Sequence, residues 1–209
     1  QQRLNGLKNA NAMQKGLDLQ QGSTVAGLNL ATKVPAFGFD NLFADWFFLQ
    51  FLQYFGDFEA RDQTGYGISA EFFEPIIAKD PFYRMFYFFL SGSTSNYAGQ
   101  PERAVALISE GLESLGPGVP SDSFYVWQYK AVDELLYLGD GEAAQNSYQN
   151  AASWAQQSSH PDAPFIAETA QRSADFLAIN PLSKRARISA WSSVLTNALD
   201  ETTQQRAIQ

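Results

Sequence analysis

The sequence predicts an all-α fold, built as a right-handed stack of antiparallel helical hairpins. The stretch from Gly139 to Ala151 has the pattern of a hairpin turn and the helix that follows it. A glycine suits the left-handed turn, Ala144 and Ala151 are small where two helices cross closely, and Tyr148 fills the space between the helices. The same pattern begins one unit upstream at Gly99, so the chain is organised as helical pairs.

The spacing of the two turn glycines indicates a degenerate repeat. Gly99 and Gly139 are 40 residues apart, whereas a regular tetratricopeptide unit has about 34 residues. A loop predicted over Pro117 to Ser123 accounts for the excess. We therefore expect a degenerate tetratricopeptide-like (TPR-like) α-solenoid in which Gly99 and Gly139 are structural turn residues.

Helical periodicity, helix breakers and N-cap residues predict eight helices. The first is rich in aromatic residues and apolar nearly all round, so we expect it to be buried on several sides. It should begin at an N-cap on Asp40 or Asn41, and Ser69 should cap the second helix after a polar loop. We expect the last helix to cap the stack. The predicted helices are Leu42–Phe55, Ala70–Lys79, Phe82–Tyr97, Pro101–Leu115, Phe124–Leu138, Glu142–Gln157, Pro164–Ile179 and Ser183–Leu199.

The chain divides at about residue 35. Residues 1–34 are rich in Gln, Asn, Gly and Leu with a weak helical pattern, so we expect an N-terminal arm or linker that is partly ordered. Residues 35–209 form the TPR-like helical domain, and with 45% hydrophobic residues overall the chain can bury a sizeable core. The sequence begins at Gln1 without an initiator methionine, so a signal peptide or membrane anchor could precede it.

Charge and cysteine content narrow the possible functions. The net charge is -8, and residues 35–183 hold 6 basic against 19 acidic residues. An acidic body repels phosphate backbones, which argues against nucleic acid as a partner. There is no cysteine, which excludes disulfides, thiolate zinc sites and cysteine nucleophiles.

The predicted binding surface is a concave groove lined by the first helix of each hairpin. Aromatic anchors flanked by a few polar groups suit a protein or peptide partner. The alternative is that most of these side chains are ordinary core residues of packed helices. The groove positions are Phe86, Phe89, Ser93, Asn96, Val126, Tyr129, Asp133 and Leu136.

Catalytic chemistry has weak support in the sequence. Asp133 with Glu134, or the acidic residues between Asp57 and Asp62, could supply paired carboxylates to an α/α-type hydrolase, but their spacing is unspecific. His160 is the only histidine, and no phosphate loop, nucleophile elbow or calcium loop occurs. We expect a non-catalytic protein with no cofactor and no metal.

The 30 aromatic residues leave open another function, that of a carrier of an apolar ligand such as a lipid or pigment.

Four strings carry a resemblance to known proteins. They are Phe39-Asp-Asn-Leu-Phe-Ala-Asp-Trp46, Leu49-Gln-Phe-Leu-Gln-Tyr-Phe-Gly-Asp57, Tyr97-Ala-Gly-Gln-Pro-Glu-Arg103 and Asp133-Glu-Leu-Leu-Tyr-Leu-Gly-Asp140. Together they resemble a family of cyanobacterial TPR-like proteins, over about residues 35–209. The resemblance implies a thylakoid-associated, non-catalytic scaffold, an auxiliary or assembly factor whose partners are photosystem subunits. Members of that family look like single-span proteins with an N-terminal anchor, so membrane association here would come through a segment preceding Gln1.

Overall fold

The computed structural model describes residues 16, 19, 21–180 and 184–208, and within this part of the chain the protein is all-α, as predicted. Residues 21–31 form helix α1. The remaining helices are α2 (Asp40–Gly56), α3 (Phe58–Thr64), α4 (Ser69–Lys79), α5 (Arg84–Leu90), α6 (Pro101–Leu112), α7 (Phe124–Asp133), α8 (Gly141–Gln156), α9 (Ala163–Ile179), α10 (Lys184–Asn197) and α11 (Glu201–Ile208).

Two of the helices end in a wider, π-helical segment. Helix α5 continues as π1 (Ser91–Tyr97), and α7 continues as π2 (Glu134–Leu138). Each segment lies just ahead of a predicted turn glycine. Such segments often mark functional or strained positions in helices. The sequence analysis predicted one continuous helix in each case, because residue periodicity does not distinguish the π-helical from the α-helical hydrogen-bond pattern.

The turn glycines adopt the predicted conformation. The φ angles are 61° at Gly99 and 68° at Gly139, in the left-handed region that glycine adopts without steric cost. After the second turn the Asp140 carboxylate accepts a hydrogen bond from the Ala143 amide (2.9 Å) and caps α8. The positive φ predicted at Gly139 is therefore confirmed.

The segment between α2 and α4 was predicted to be a polar loop, and this prediction was wrong. Residues 58–64 form helix α3, and the Asp57 carboxylate caps it by accepting from the Ala60 amide (3.1 Å). Asp57 follows the last residue of α2, so one aspartate begins the next helix where the sequence pattern indicated only a break.

The predicted N-caps are also corrected. Helix α2 begins after Phe39, which makes no side-chain capping bond, so neither Asp40 nor Asn41 is its N-cap. Ser69 lies inside α4, and its hydroxyl donates to the Tyr66 carbonyl (2.8 Å) in the preceding turn. The helices begin close to the expected positions because their stability comes mainly from packing.

The main core lies between α2, α4, α5 and α6, with Phe51 of α2 at its centre. Phe51 is fully buried and its ring lies 4.6 Å from that of Phe73. Beside it, Phe48 and Phe86 pack with ring centroids 5.0 Å apart. Leu28 of α1 is also buried in this cluster, so the later part of the predicted arm belongs to the packed structure. The rest of the arm, apart from residues 16 and 19, lies outside the described residues.

The last two helices lie across the turns of the hairpins. Helix α10 packs against both π1 and π2, and the indole N–H of Trp191 donates to the Tyr137 carbonyl (3.0 Å). Helix α11 returns along the same side, where the Thr203 hydroxyl lies 3.3 Å from the Ala98 carbonyl. The predicted first residue of the last helix, Ser183, lies outside the described residues.

Candidate functional site

Helix α2 turns part of its apolar surface to solvent. Leu42, Trp46 and Leu49 recur at helical spacing, and they are 65%, 59% and 54% exposed. Phe39 and Phe43 flank them and are also exposed. We call these five side chains the outer α2 face. The expectation that this helix is buried on several sides was therefore wrong.

The outer α2 face is large for a surface patch. Its three aromatic residues expose roughly 300 Å², taking ~200 Å² as the full area of an aromatic side chain. The two leucines, more than half exposed, add to this area. The largest apolar patch on a typical monomer is about 300–600 Å² and is often functional. No basic residue lies on α2, and its charged side chains are Asp40 and Asp45.

A second apolar feature is a cavity of about 370 Å³ between α2, the α5–π1 helix and α7. Phe88 of α5 is half exposed at this cavity, and its ring lies 5.9 Å from that of Tyr129. Lipid- or side-chain-sized cavities of this kind are typical of binding sites in helical proteins. The lining residues are Phe55, Phe88, Phe89, Ser91, Gly92, Ser93, Tyr97, Tyr129 and Val132.

Three of the eight predicted groove residues line this cavity, namely Phe89, Ser93 and Tyr129. Phe86 and Val126 instead lie fully buried in the main core, so neither reaches the surface as expected. The side chains point inward because a small error in helical register rotates a residue away from the groove by about 100° per position.

The other three predicted residues lie outside the lining of the cavity. Asn96 and Leu136 are half-buried, and Asp133 is fully buried. Asp133 therefore offers no surface to a partner in this conformation, which corrects its predicted position.

Asp133 links α7 to the π1 segment. Its carboxylate accepts hydrogen bonds from the hydroxyls of Ser91 (2.8 Å) and Ser95 (2.9 Å), both on the neighbouring π1 segment. Burial raises the pKa of Asp133 to about 7, while the two serine hydroxyls lower it and the nearby Glu134 carboxylate raises it further. The two serines are four residues apart on π1, so both lie on the side that faces Asp133.

Glu134 has a separate set of partners. The Ser147 hydroxyl of α8 donates to it (2.6 Å), and the Lys130 ammonium lies 3.2 Å from its other oxygen. Asp133 and Glu134 thus face different neighbours, as adjacent helical residues do. Neither lines the cavity described above, so their arrangement favours a structural role over the paired carboxylates of a hydrolase.

One wall of the cavity has an unsatisfied hydroxyl. Ser93 is buried, and its Oγ has no hydrogen-bond partner among the described residues. A buried polar group without a partner is uncommon and destabilising. Ser93 therefore adds a hydroxyl without a partner to a lining that is mostly apolar.

Among the described residues no group of three or more His, Cys, Asp or Glu side chains is placed to hold a metal ion. None of the helices within that range is both long enough and apolar enough to cross a bilayer.

Comparison with known proteins adds no relative. No protein-family model, curated protein or solved structure matches the chain.

The sequence analysis missed the outer α2 face and the contribution of Phe55, Phe88 and Tyr97 to the cavity. The signal for the face was present, since Leu42, Trp46 and Leu49 form a stripe at helical spacing. A helix that is apolar on nearly every side gives no indication of which stripe remains uncovered.

Proposed function

We propose that this protein is a non-catalytic scaffold that binds other proteins through apolar surfaces. The observation that carries the proposal is the outer α2 face, where Leu42, Trp46 and Leu49 are each more than half exposed. Desolvating large aromatic and aliphatic side chains is the main source of affinity at protein interfaces. Asp45, on the same helix, would favour a partner with a basic residue beside its apolar segment, whereas Asp40 is paired with Lys79 (3.4 Å).

The cavity beside Phe88 and Tyr129 is the second contact surface in this proposal. A side chain of the partner inserted between these rings would lose its contact with water, which is the setting in which an anchor residue contributes most. The apolar walls and the concave shape suit a helix or an extended peptide.

The proposed architecture is a degenerate TPR-like solenoid, supported by the left-handed turns at Gly99 and Gly139 and by the contacts of π1 with α6 and of α7 with α8 across these turns. The proposed partner is a photosynthetic membrane complex, with association at the thylakoid. Support for the partner and the location comes from the family resemblance of the four strings quoted above.

The test is a capture experiment from solubilised cyanobacterial membranes with the tagged protein. Trp46→Ala removes the central anchor of the outer α2 face, and Phe88→Ala removes the exposed ring of the cavity. Phe165→Ala is the matched control, because Phe165 is an exposed phenylalanine on α9, outside both surfaces. Truncating an anchor commonly costs about 2 kcal/mol or more, or roughly thirtyfold in affinity.

We expect the unmodified protein and the Phe165 variant to capture photosystem subunits, identified by mass spectrometry. The Trp46 or the Phe88 variant should lose them while its thermal melt stays cooperative. Equal capture by all variants would show that neither surface binds the partner. If the unmodified protein captures no photosystem subunit, the photosynthetic part of the proposal is wrong.

A second candidate function is a carrier of an apolar ligand such as a lipid or pigment, which the volume of the cavity favours. Small-molecule sites range from about 300 to 1,000 Å³ and are lined mainly by apolar side chains. Native mass spectrometry of the purified protein would distinguish the two functions. A bound lipid or pigment that is lost from Phe88→Ala would favour the carrier.

A further inference from the structure

The C-terminal helices enclose a cavity whose charge is opposite to that of the whole chain. It measures about 660 Å³ and lies between α10, α11 and the end of π2. Lys184, Arg187 and Arg206 contribute three cations to its lining, and Glu102 is the one acidic residue among the lining side chains. The cavity lining therefore has a net positive charge in a protein whose net charge is -8.

Two of the cations are free to bind a ligand. Arg206 pairs with Glu102, whereas Lys184 and Arg187 have no acidic partner among the described residues. The side chain of Arg187 lies directly against Gly139, where an added Cβ atom would overlap it. The turn glycine thus gives the guanidinium room to lie over the hairpin end, at the edge of the cavity.

The other part of the lining is apolar. Trp191 is held by the hydrogen bond from its indole N–H to the Tyr137 carbonyl (3.0 Å), and its ring meets that of Tyr137 edge-on at 6.2 Å. Ile188 and Leu195 lie on the same helix, three residues before and four residues after Trp191, and both are exposed. These positions share one side of α10, so the apolar stripe continues from the cationic end.

We propose that this cavity binds an anionic amphiphile. Its carboxylate or phosphate head would lie at Arg187 and Lys184, and its hydrocarbon part would lie along Ile188, Trp191 and Leu195. Guanidinium groups bind carboxylates and phosphates through paired, charge-assisted hydrogen bonds. A positive cleft in an acidic protein also concentrates anions that the rest of the surface repels. This site is separate from the outer α2 face and from the cavity at Phe88, and it does not depend on the scaffold proposal.

The test measures binding of three amphiphiles to the full chain by isothermal titration calorimetry. The probes are decanoate, decyl phosphate and uncharged decyl maltoside, each kept below its micelle concentration. We expect the two anions to bind at least fivefold more tightly than the maltoside, and their affinity to fall as salt is raised. Arg187→Gln should lower the affinity for the two anions roughly tenfold, which corresponds to the loss of a charge-assisted contact of about 1.4 kcal/mol.

Two further variants make the result specific. Lys184→Gln should also lower the affinity for the anions. Because Lys184 is an exposed side chain in the first turn of α10, its replacement leaves the packing of the helix intact. Arg172→Gln is the matched control, because it removes one exposed positive charge from α9, and it should leave binding unchanged.

Several outcomes would overturn the proposal. The first is that neither anion binds. The second is that the uncharged maltoside binds as tightly as the anions. The third is that Arg172→Gln weakens anion binding as much as Arg187→Gln does. Vesicles of phosphatidylglycerol distinguish the source of the head group. Binding to vesicles without binding of decanoate or decyl phosphate would assign the cations to a membrane surface, and the cavity would not be the site.

Discussion

The buried Asp133 should make the stability of this protein depend on pH, and replacement by asparagine should remove that dependence. The Asp133 carboxylate is fully buried and accepts two hydrogen bonds from serine hydroxyls. Asparagine has nearly the same shape. Its oxygen can accept from one hydroxyl and its amide can donate to the other, so the bridge between the hairpins remains while the charge is lost.

The size of the effect follows from the two pKa values. Burial raises the pKa of Asp133 from 3.8 to about 7 in the folded protein, a separation of roughly 3. Each pKa unit corresponds to about 1.4 kcal/mol, so full ionisation of Asp133 destabilises the folded state by about 4 kcal/mol. Between these pKa values the folded state binds more protons than the unfolded state. The free energy of unfolding therefore falls as the pH rises from about 4 to about 7, and the contribution of Asp133 is constant above that range.

The assay is urea unfolding followed by tryptophan fluorescence, with unmodified protein and Asp133→Asn at pH 5 and pH 8.5. At pH 8.5 the variant should be more stable by up to about 4 kcal/mol, and at pH 5 the difference should shrink to about 2 kcal/mol. Glu168→Gln, which neutralises an exposed carboxylate on α9, is the control and should change stability little at either pH.

A difference between Asp133→Asn and the unmodified protein that is the same at both pH values would refute the reasoning. It would mean that the Asp133 carboxyl has about the same pKa in the folded and unfolded protein, as it would if water reached it. A variant that is less stable at pH 8.5 would show instead that the ionised carboxylate is the form that joins the hairpins.

Three substitutions test the packing, and each can be measured by urea unfolding. Gly139→Val should lower the free energy of unfolding by more than about 1 kcal/mol, because a β-branched residue is strained at φ 68° and its side chain would overlap Arg187. An unchanged stability would mean that the turn is misplaced. Gly111→Ala should lower the free energy of unfolding by about 1–3 kcal/mol, because the Cβ atom of the alanine would overlap the buried ring of Tyr87. An unchanged urea midpoint would contradict this close approach. Phe51→Ala should lower the free energy of unfolding by about 3–5 kcal/mol, because it opens a cavity among the aromatic neighbours of Phe51. A decrease below about 1 kcal/mol would place this residue outside the core.

The hairpin pattern illustrates what local sequence can predict. Gly139 was expected to adopt a positive φ, and Ala144 and Ala151 were expected where helices cross closely. The structure has φ 68° at the glycine and buries both alanines completely. These features depend on the conformational range of one residue and on side-chain size within a few turns, and both properties are visible in the sequence.

The candidate sites were harder to predict, as two examples show. Phe86 and Phe89 both belonged to the predicted groove, yet Phe86 is fully buried and Phe89 lines the cavity. The π-helical segments add a second source of error, because they change the rotation per residue and therefore the face on which later side chains lie. Asp133 was predicted on the groove and is buried beside Ser91 instead.

The sequence by itself determined the all-α class, the approximate helix boundaries and the left-handed turns at Gly99 and Gly139, because these follow from local periodicity and from backbone sterics. Only the tertiary structure decided which side of α2 is exposed, which partners Asp133 has, and that α10 and α11 lie across the hairpin turns. These features depend on contacts between residues far apart in the chain, such as Ser91 with Asp133 or Ala98 with Thr203. No short-range pattern encodes such contacts, because their free energy exists only when the separate helices have packed together.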